Sequence, residues 1–287
     1  MLMTNELSCY TANLAAYLAD DHHDVRAHIA RSVQLAVRVD TARPEFSHHG
    51  RSLALLPDGM SLGYRSSGDS REALDAVETE LRRHGRVLVV GTSSHWILLD
   101  GRETGRWHVV DLFAALLPSG EKRPFTGWIT DDALITAMRT PADPTPAQLL
   151  RDAYVFGDRV ETPPHTHLRW LTRQRTREAT MPGEWVTGTA ALAHLRDWFT
   201  IGSAEAAANH EDVWAAARHQ DYRLRWLAAT GQTAVDDAGA AAEAWWQLVR
   251  SLRFAVESFK RGRPRPSLVD NSFAVVIKLL TPLQEAS

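Results

Sequence analysis

The sequence predicts an α+β fold, with a helix packed on an antiparallel sheet in the first half and an all-helical second half. Three observations carry that expectation. A helical pattern starts at Cys9, strand-like segments separated by turn residues lie between residues 86 and 111, and beyond residue 146 the composition turns to Ala, Arg and Trp with helical spacing. The stretch Pro141-Ala142-Asp143-Pro144-Thr145-Pro146 reads as a linker, so the chain divides into residues 1–140 and 146–287.

The first helix has Ser8 at its N-cap and Leu14 and Leu18 on one face. A polar break from Asp20 to Asp24 precedes a second helical pattern, from about Val25 to Val39, and then a loop from Thr41 to Arg51. Short strands near Leu53 to Leu56 and Ser61 to Tyr64 flank the turn Pro57-Asp58-Gly59. Ser70 to His84 is a helix capped by Ser70, with Leu74, Val77 and Leu81 on one face and Gly85 as its stop. Arg86 to Val90 reads as a buried strand and leads through Gly91-Thr92-Ser93-Ser94 into a hairpin. Asp111 to Trp128 is an irregular excursion, and Thr130 to Arg139 a short helix with Asp131 and Asp132 in its first turn.

Helical periodicity then covers Pro146 to Phe156, Thr187 to Phe199, Ser203 to Thr230, Ala234 to Lys260 and Pro266 to Leu280. This half holds seven of the ten tryptophans. Such large aromatics fill gaps between alanine-rich helices, with arginines stacked on them. The alternative is a helical layer that covers the Cys9 cleft and lines a pocket for an acyl chain.

The hairpin is the most informative segment. His95 to Asp100 and Arg106 to Asp111 are both strand-like, and Gly101 and Gly105 bound the loop between them. A turn centred on Glu103 pairs His95 with Asp111, Ile97 with Val109 and Leu99 with Trp107, all on one face. An aspartate opposite a histidine can accept a hydrogen bond from one ring nitrogen and fix its tautomer. A register slip of one residue would separate the two, and an ordinary hairpin is the other reading.

Cys9, the lone cysteine, falls in the first turn of its helix. There the positive end of the helix dipole and its first backbone N–H groups favour a thiolate and offer oxyanion donors. The alternative is a small buried residue on an apolar helix face. One cysteine excludes an intramolecular disulfide framework and a multi-thiolate metal site.

His22-His23, His48-His49 and His165-x-His167 lie in polar, turn-like stretches and read as solvated loop histidines rather than metal ligands. The formal charge of −3 gives no footprint for nucleic acid. No apolar run approaches the roughly 20 residues that span a bilayer, and no signal peptide is visible, so a soluble cytoplasmic protein is expected. No Walker loop, G-x-G-x-x-G or G-x-S-x-G is present.

A helix opening Cys-x3-Asn-Leu-x3-Leu, a strand His-Trp-Ile-Leu-Leu-Asp-Gly and a strand ending Val-Val-Asp together resemble the papain-like enzymes of the peptidase C39 and butirosin-biosynthesis acyltransferase group. The motifs run from Cys9 to Met138; beyond them only the architecture is similar, and the helical half looks more like the aminoglycoside-pathway acyltransferase than a peptidase. The resemblance implies Cys9 as nucleophile, His95 as general base and acid, and Asp111 as the residue that orients His95. Papain-type peptidases commonly carry a glutamine a few residues before the cysteine, whereas here stand Met3, Thr4, Asn5 and Glu6. Asn5 or the Cys9 backbone N–H would then serve as oxyanion donor, with Ser8 and Asn13 as supporting groups.

The implied reaction is transfer of an acyl group from an acyl carrier protein, or another thioester donor, through acyl-Cys9 to a small-molecule amine or other nucleophile. Arylamine N-acetyltransferases resemble it in chemistry. No cofactor is implied apart from phosphopantetheine as part of the carrier-protein substrate. A cysteine peptidase, amidase or hydrolytic thioesterase, and a non-catalytic binding protein on the same shell, are the alternatives.

Overall fold

The computed structural model describes residues 7–91, 95–117, 120–139, 164, 166–175 and 182–285. In chain order the elements are α1 (Cys9–Leu18), α2 (Val25–Ser32), β1 (Val33–Arg38), β2 (Glu45–His49), a 3-10 turn (Arg51–Ala54), β3 (Met60–Ser67), α3 (Ser70–His84) and β4 (Val87–Val90). There follow β5 (Trp96–Glu103), β6 (Arg106–Asp111), β7 (Ala115–Leu117), β8 (Gly120–Lys122), β9 (Phe125–Thr130), α4 (Asp131–Met138), β10 (Leu168–Arg175) and β11 (Trp185–Thr187). Five helices complete the chain: α5 (Gly188–Ile201), α6 (Ala204–Ala208), α7 (His210–Ala229), α8 (Val235–Lys260) and α9 (Pro266–Glu285). The fold is α+β with antiparallel sheets and a helical C-terminal region, as the sequence predicts. Among the described residues no helix is long and apolar enough to cross a membrane.

The chain forms two units, one from Met1–Ile29 and Arg51–Thr180, the other from Ala30–Gly50 and Met181–Ser287. This corrects the expected division into residues 1–140 and 146–287. Strand pairing sets the true boundaries, because β10 belongs to the sheet of the first unit and β1 and β2 to the sheet of the second. The expected linker at residues 141–146 and the helix at 146–156 lie outside the described residues.

In the first unit a six-stranded antiparallel sheet runs β3-β10-β4-β5-β6-β9. β10 pairs with β3 over its whole length, from Leu168 opposite Ser67 to Arg175 opposite Met60. Leu168, Arg169, Trp170 and Leu171 are all buried, as in a strand covered on both faces. Interleaved arginines and a glutamine hide that strand from a sequence reading. One sheet face packs Ile97, Leu99, Trp107 and Val109 against Val77 and Leu81 of α3 and Leu134 and Met138 of α4. α1 packs on β5, and nearly every one of its side chains is buried. The irregular excursion expected after Asp111 instead contains the β7–β8 hairpin and β9, which extends the sheet beside β6.

Helix α3 has the expected span, but its N-cap is Asp69 rather than Ser70: the Asp69 carboxylate accepts the backbone N–H groups of Arg71 and Glu72 at 2.8 and 3.1 Å. Gly85 ends it at φ +74°, with open space where a β-carbon would stand. Gly85→Ala is therefore expected to destabilise by about 1 kcal/mol through backbone strain alone, read as a lower thermal midpoint with an unchanged far-ultraviolet spectrum.

The second unit joins the helices to a three-stranded sheet, β11-β1-β2. The helix expected from Val25 to Val39 stops at Ser32, because Val33–Arg38 is the central strand of that sheet, paired on both sides. β-Branched Val33 and Val37 suit that role, and the ladder bonds override the helical spacing. Leu35, Val37 and Phe46 of these strands share a core with Leu192, Leu195, Phe199, Trp245, Leu248 and Phe273. His48 and His49 are not solvated: both are buried in β2, with His219 of α7 at ring-centroid distances of 5.8 and 4.8 Å. His165 lies outside the described residues. Trp245 and Trp226 are buried among these helices, and Arg31 and Arg218 lie over Trp226 and Trp214 at 5.4 and 4.9 Å.

Candidate active site

Cys9 is the first residue of α1 and is half-buried. Ser8 before it is the expected N-cap: its backbone is extended, its hydroxyl accepts the Thr11 N–H at 3.4 Å and lies 2.9 Å from the Thr11 hydroxyl. Ser8 thus fixes the helix start on which the sulfur sits. Asn5 lies outside the described residues.

His95 directly precedes β5, and its carbonyl accepts the Gly91 N–H at 2.6 Å. The hairpin register differs from the expected one. The turn is Thr104-Gly105, so Glu103 faces Arg106, and a bulge between Leu99 and Gly101 brings Leu99 opposite Val109. A two-residue turn alone would put His95 and Asp111 out of phase, and the extra residue of the bulge restores the parity. Asp111 meets His95 diagonally rather than squarely, a separation that long side chains still bridge. The His95 Nε2–H donates to Asp111 Oδ2 at 2.6 Å. His95 also shares a side-chain hydrogen bond with Cys9, and with Nε2 committed to Asp111, Nδ1 is the nitrogen left to the sulfur. The structure therefore brings Cys9, His95 and Asp111 together.

Asn13 has a role the sequence only hinted at. It is one helical turn beyond Cys9 and fully buried, and its Nδ2 donates to Asp111 Oδ1 at 3.0 Å, to the Trp96 carbonyl at 2.7 Å and to the Cys9 carbonyl at 3.1 Å. Its Oδ1 accepts the Leu112 N–H at 2.8 Å. One amide thus ties α1 to both strands of the hairpin. The i, i+4 spacing from Cys9 was the available signal, since such residues share a helix face. Phe113 was missed: its N–H donates to Asp111 Oδ1 at 3.0 Å and its ring lies 5.6 Å from the His95 ring. An aspartate bonding the backbone two residues on is the Asx pattern, legible in Asp111-Leu112-Phe113 only once the strand end is known.

Burial pulls the His95 imidazolium toward the neutral form, but the hydrogen bonds and charges of Asp111 and Cys9 outweigh it and raise its pKa from 6.5 to about 10. Burial likewise pushes Asp111 upward, and the hydrogen bond and charge of His95, with the Asn13 and Phe113 donors, win and lower it. The stabilisation from His95 is fully present below pH 6.5 and is lost as pH rises through about 10. That from Asp111 is present above pH 3.8 and is lost as pH falls through its lowered value. Thermal midpoints are accordingly expected to fall between pH 6.5 and 10, and less steeply in His95→Asn.

A second His–Asp contact lies on the same hairpin, His108 Nδ1 to Asp100 Oδ1 at 2.6 Å, beside Trp128. It has no cysteine to act on, because Cys9 is the only one in the chain. No protein-family model matches the chain, and no curated protein matches it.

Proposed function

We propose that this protein is a cysteine-dependent acyltransferase in which Cys9 is the nucleophile, His95 the general base and acid, and Asp111 the residue that orients His95. The observation that supports this reading is the His95 ring held by Asp111 and hydrogen-bonded to Cys9 at the start of a helix. An imidazolium and a helix N-terminus both favour the thiolate, which is the attacking species. The donor is a thioester, carried by an acyl carrier protein on its phosphopantetheine arm, and the role is in natural-product biosynthesis; the motif resemblance supports both. A cytoplasmic setting suits a reduced thiol and such a donor.

The Cys9 thiolate attacks the thioester carbonyl, the donor thiol leaves with a proton from His95, and acyl-Cys9 remains. An amine then attacks acyl-Cys9 while His95 accepts its proton, and the thiolate is expelled. The Cys9 backbone N–H at the helix start is the proposed oxyanion donor. This sequence calls for no resident cofactor.

Acyl thioesters of a small thiol, incubated with the protein and followed by intact mass, are expected to add one acyl group at Cys9 and to leave Cys9→Ala unchanged. An added amine should discharge the adduct as the amide. Discharge to water alone would favour the hydrolytic reading, and failure of every thioester to label the folded protein would overturn both.

A further inference from the structure

The second unit holds a cavity of about 290 Å³ that the chemistry at Cys9 does not involve. Leu35, Leu192, Leu224, Leu227 and Leu280 give it an apolar wall. Its polar lining includes Gln34, which donates to the His49 carbonyl at 2.9 Å, and side chains with no partner among the described residues. Arg223 of α7 is half-buried, forms no ion pair among the described residues, and only burial acts on its pKa, lowering it. Its neighbour Asp221 is committed to Arg225 at 3.0 Å. Gln220 is 8% exposed and makes no hydrogen bond among the described residues, and Trp245, 1% exposed, has its Nε1–H without an acceptor. The start of α5, at Thr187 and Gly188, lines the same cavity with its positive dipole end.

A half-buried guanidinium with no acceptor among the described residues, set against an apolar wall, offers a ligand's anionic group a charge-assisted partner. One guanidinium matches one carboxylate as a two-bond fork, whereas a phosphate dianion calls for more positive charge than this cavity holds. We infer that the cavity binds a small amphipathic monocarboxylate, its carboxylate on Arg223 and its carbon chain against the leucines. A 150 Å³ apolar cavity takes up benzene, so this one suits a chain of about ten non-hydrogen atoms. Octanoate is of that size. The inference does not rest on the reaction proposed for Cys9.

Calorimetric titration of the full-length protein with octanoate, octanol and inorganic phosphate tests it. Octanoate is expected to bind one to one, octanol at least about tenfold more weakly, and phosphate not at all. Arg223→Met should weaken octanoate by about tenfold or more. Leu192→Trp, which fills the cavity, should abolish binding. No octanoate binding to the folded wild type, binding of phosphate or octanol as tight as that of octanoate, or an octanoate affinity in both variants equal to that of the wild type would overturn the proposal. Should either variant fail to fold, the three probes on the wild type decide alone.

Discussion

Replacing His95 with asparagine is expected to slow acylation of Cys9 by about a thousandfold, the usual worth of a positioned general base and acid. Asparagine is close in size and keeps a donor for Asp111 but cannot carry a proton, so the loss reports chemistry rather than packing. His108→Asn provides the control on the same hairpin, because His108 pairs with Asp100 and not with Asp111. It should leave the acylation rate unchanged. Stopped-flow mixing with an acyl thioester and quantification of the adduct by mass gives both rates. Equal rates in the two variants would remove His95 from the reaction.

Trp107→Ala is expected to cost about 3–5 kcal/mol, the range for deleting a large buried aromatic. Trp107 is fully buried in the sheet core with Ile97, Leu99 and Val109. It also donates its Nε1–H to Asp131 Oδ1 at 2.6 Å, and Arg102, which binds the same carboxylate oxygen at 2.8 Å, lies 4.3 Å from the ring. The substitution therefore opens a cavity and removes one of the two donors, with Arg102, that link the hairpin to the first turn of α4. The same hairpin carries His95 and Asp111 at its other end, so loosening it should also lower the acylation rate of whatever fraction stays folded. Chemical denaturation followed by far-ultraviolet circular dichroism measures the loss, and a cost below about 1 kcal/mol would show that the ring does not anchor the hairpin.

Local chemistry was legible where a single residue decides it. Gly85 ends α3 because a left-handed residue is needed there, and Ser8 caps α1 because its hydroxyl reaches the first turn. The meeting of His95 with Asp111 was also readable, although the hairpin register differs from the one the glycines suggest. The turn is centred between Thr104 and Gly105 rather than on Glu103, a half-residue change of phase that the bulge between Leu99 and Gly101 offsets. Non-local pairing was not legible. β10 is separated from β3 and β4 by long stretches of chain, and its arginines argue against the buried central strand that it forms. Val33 to Arg38 fits a helix by spacing and becomes a strand only because β2 and β11 supply partners on both sides. The burial of His48 and His49 follows from that same sheet and could not be foreseen without it.

The pH dependence of Cys9 alkylation by iodoacetamide probes the sulfur directly, without any choice of acyl group or acceptor. A thiolate held by the His95 imidazolium should alkylate at about pH 5 to 6 at nearly its neutral-pH rate, and His95→Asn should move the rise toward the ordinary thiol value of about 8.5. A wild-type rate that climbs only through about pH 8.5, indistinguishable from that of the variant, would mean that Cys9 is an ordinary thiol and that His95 does not activate it.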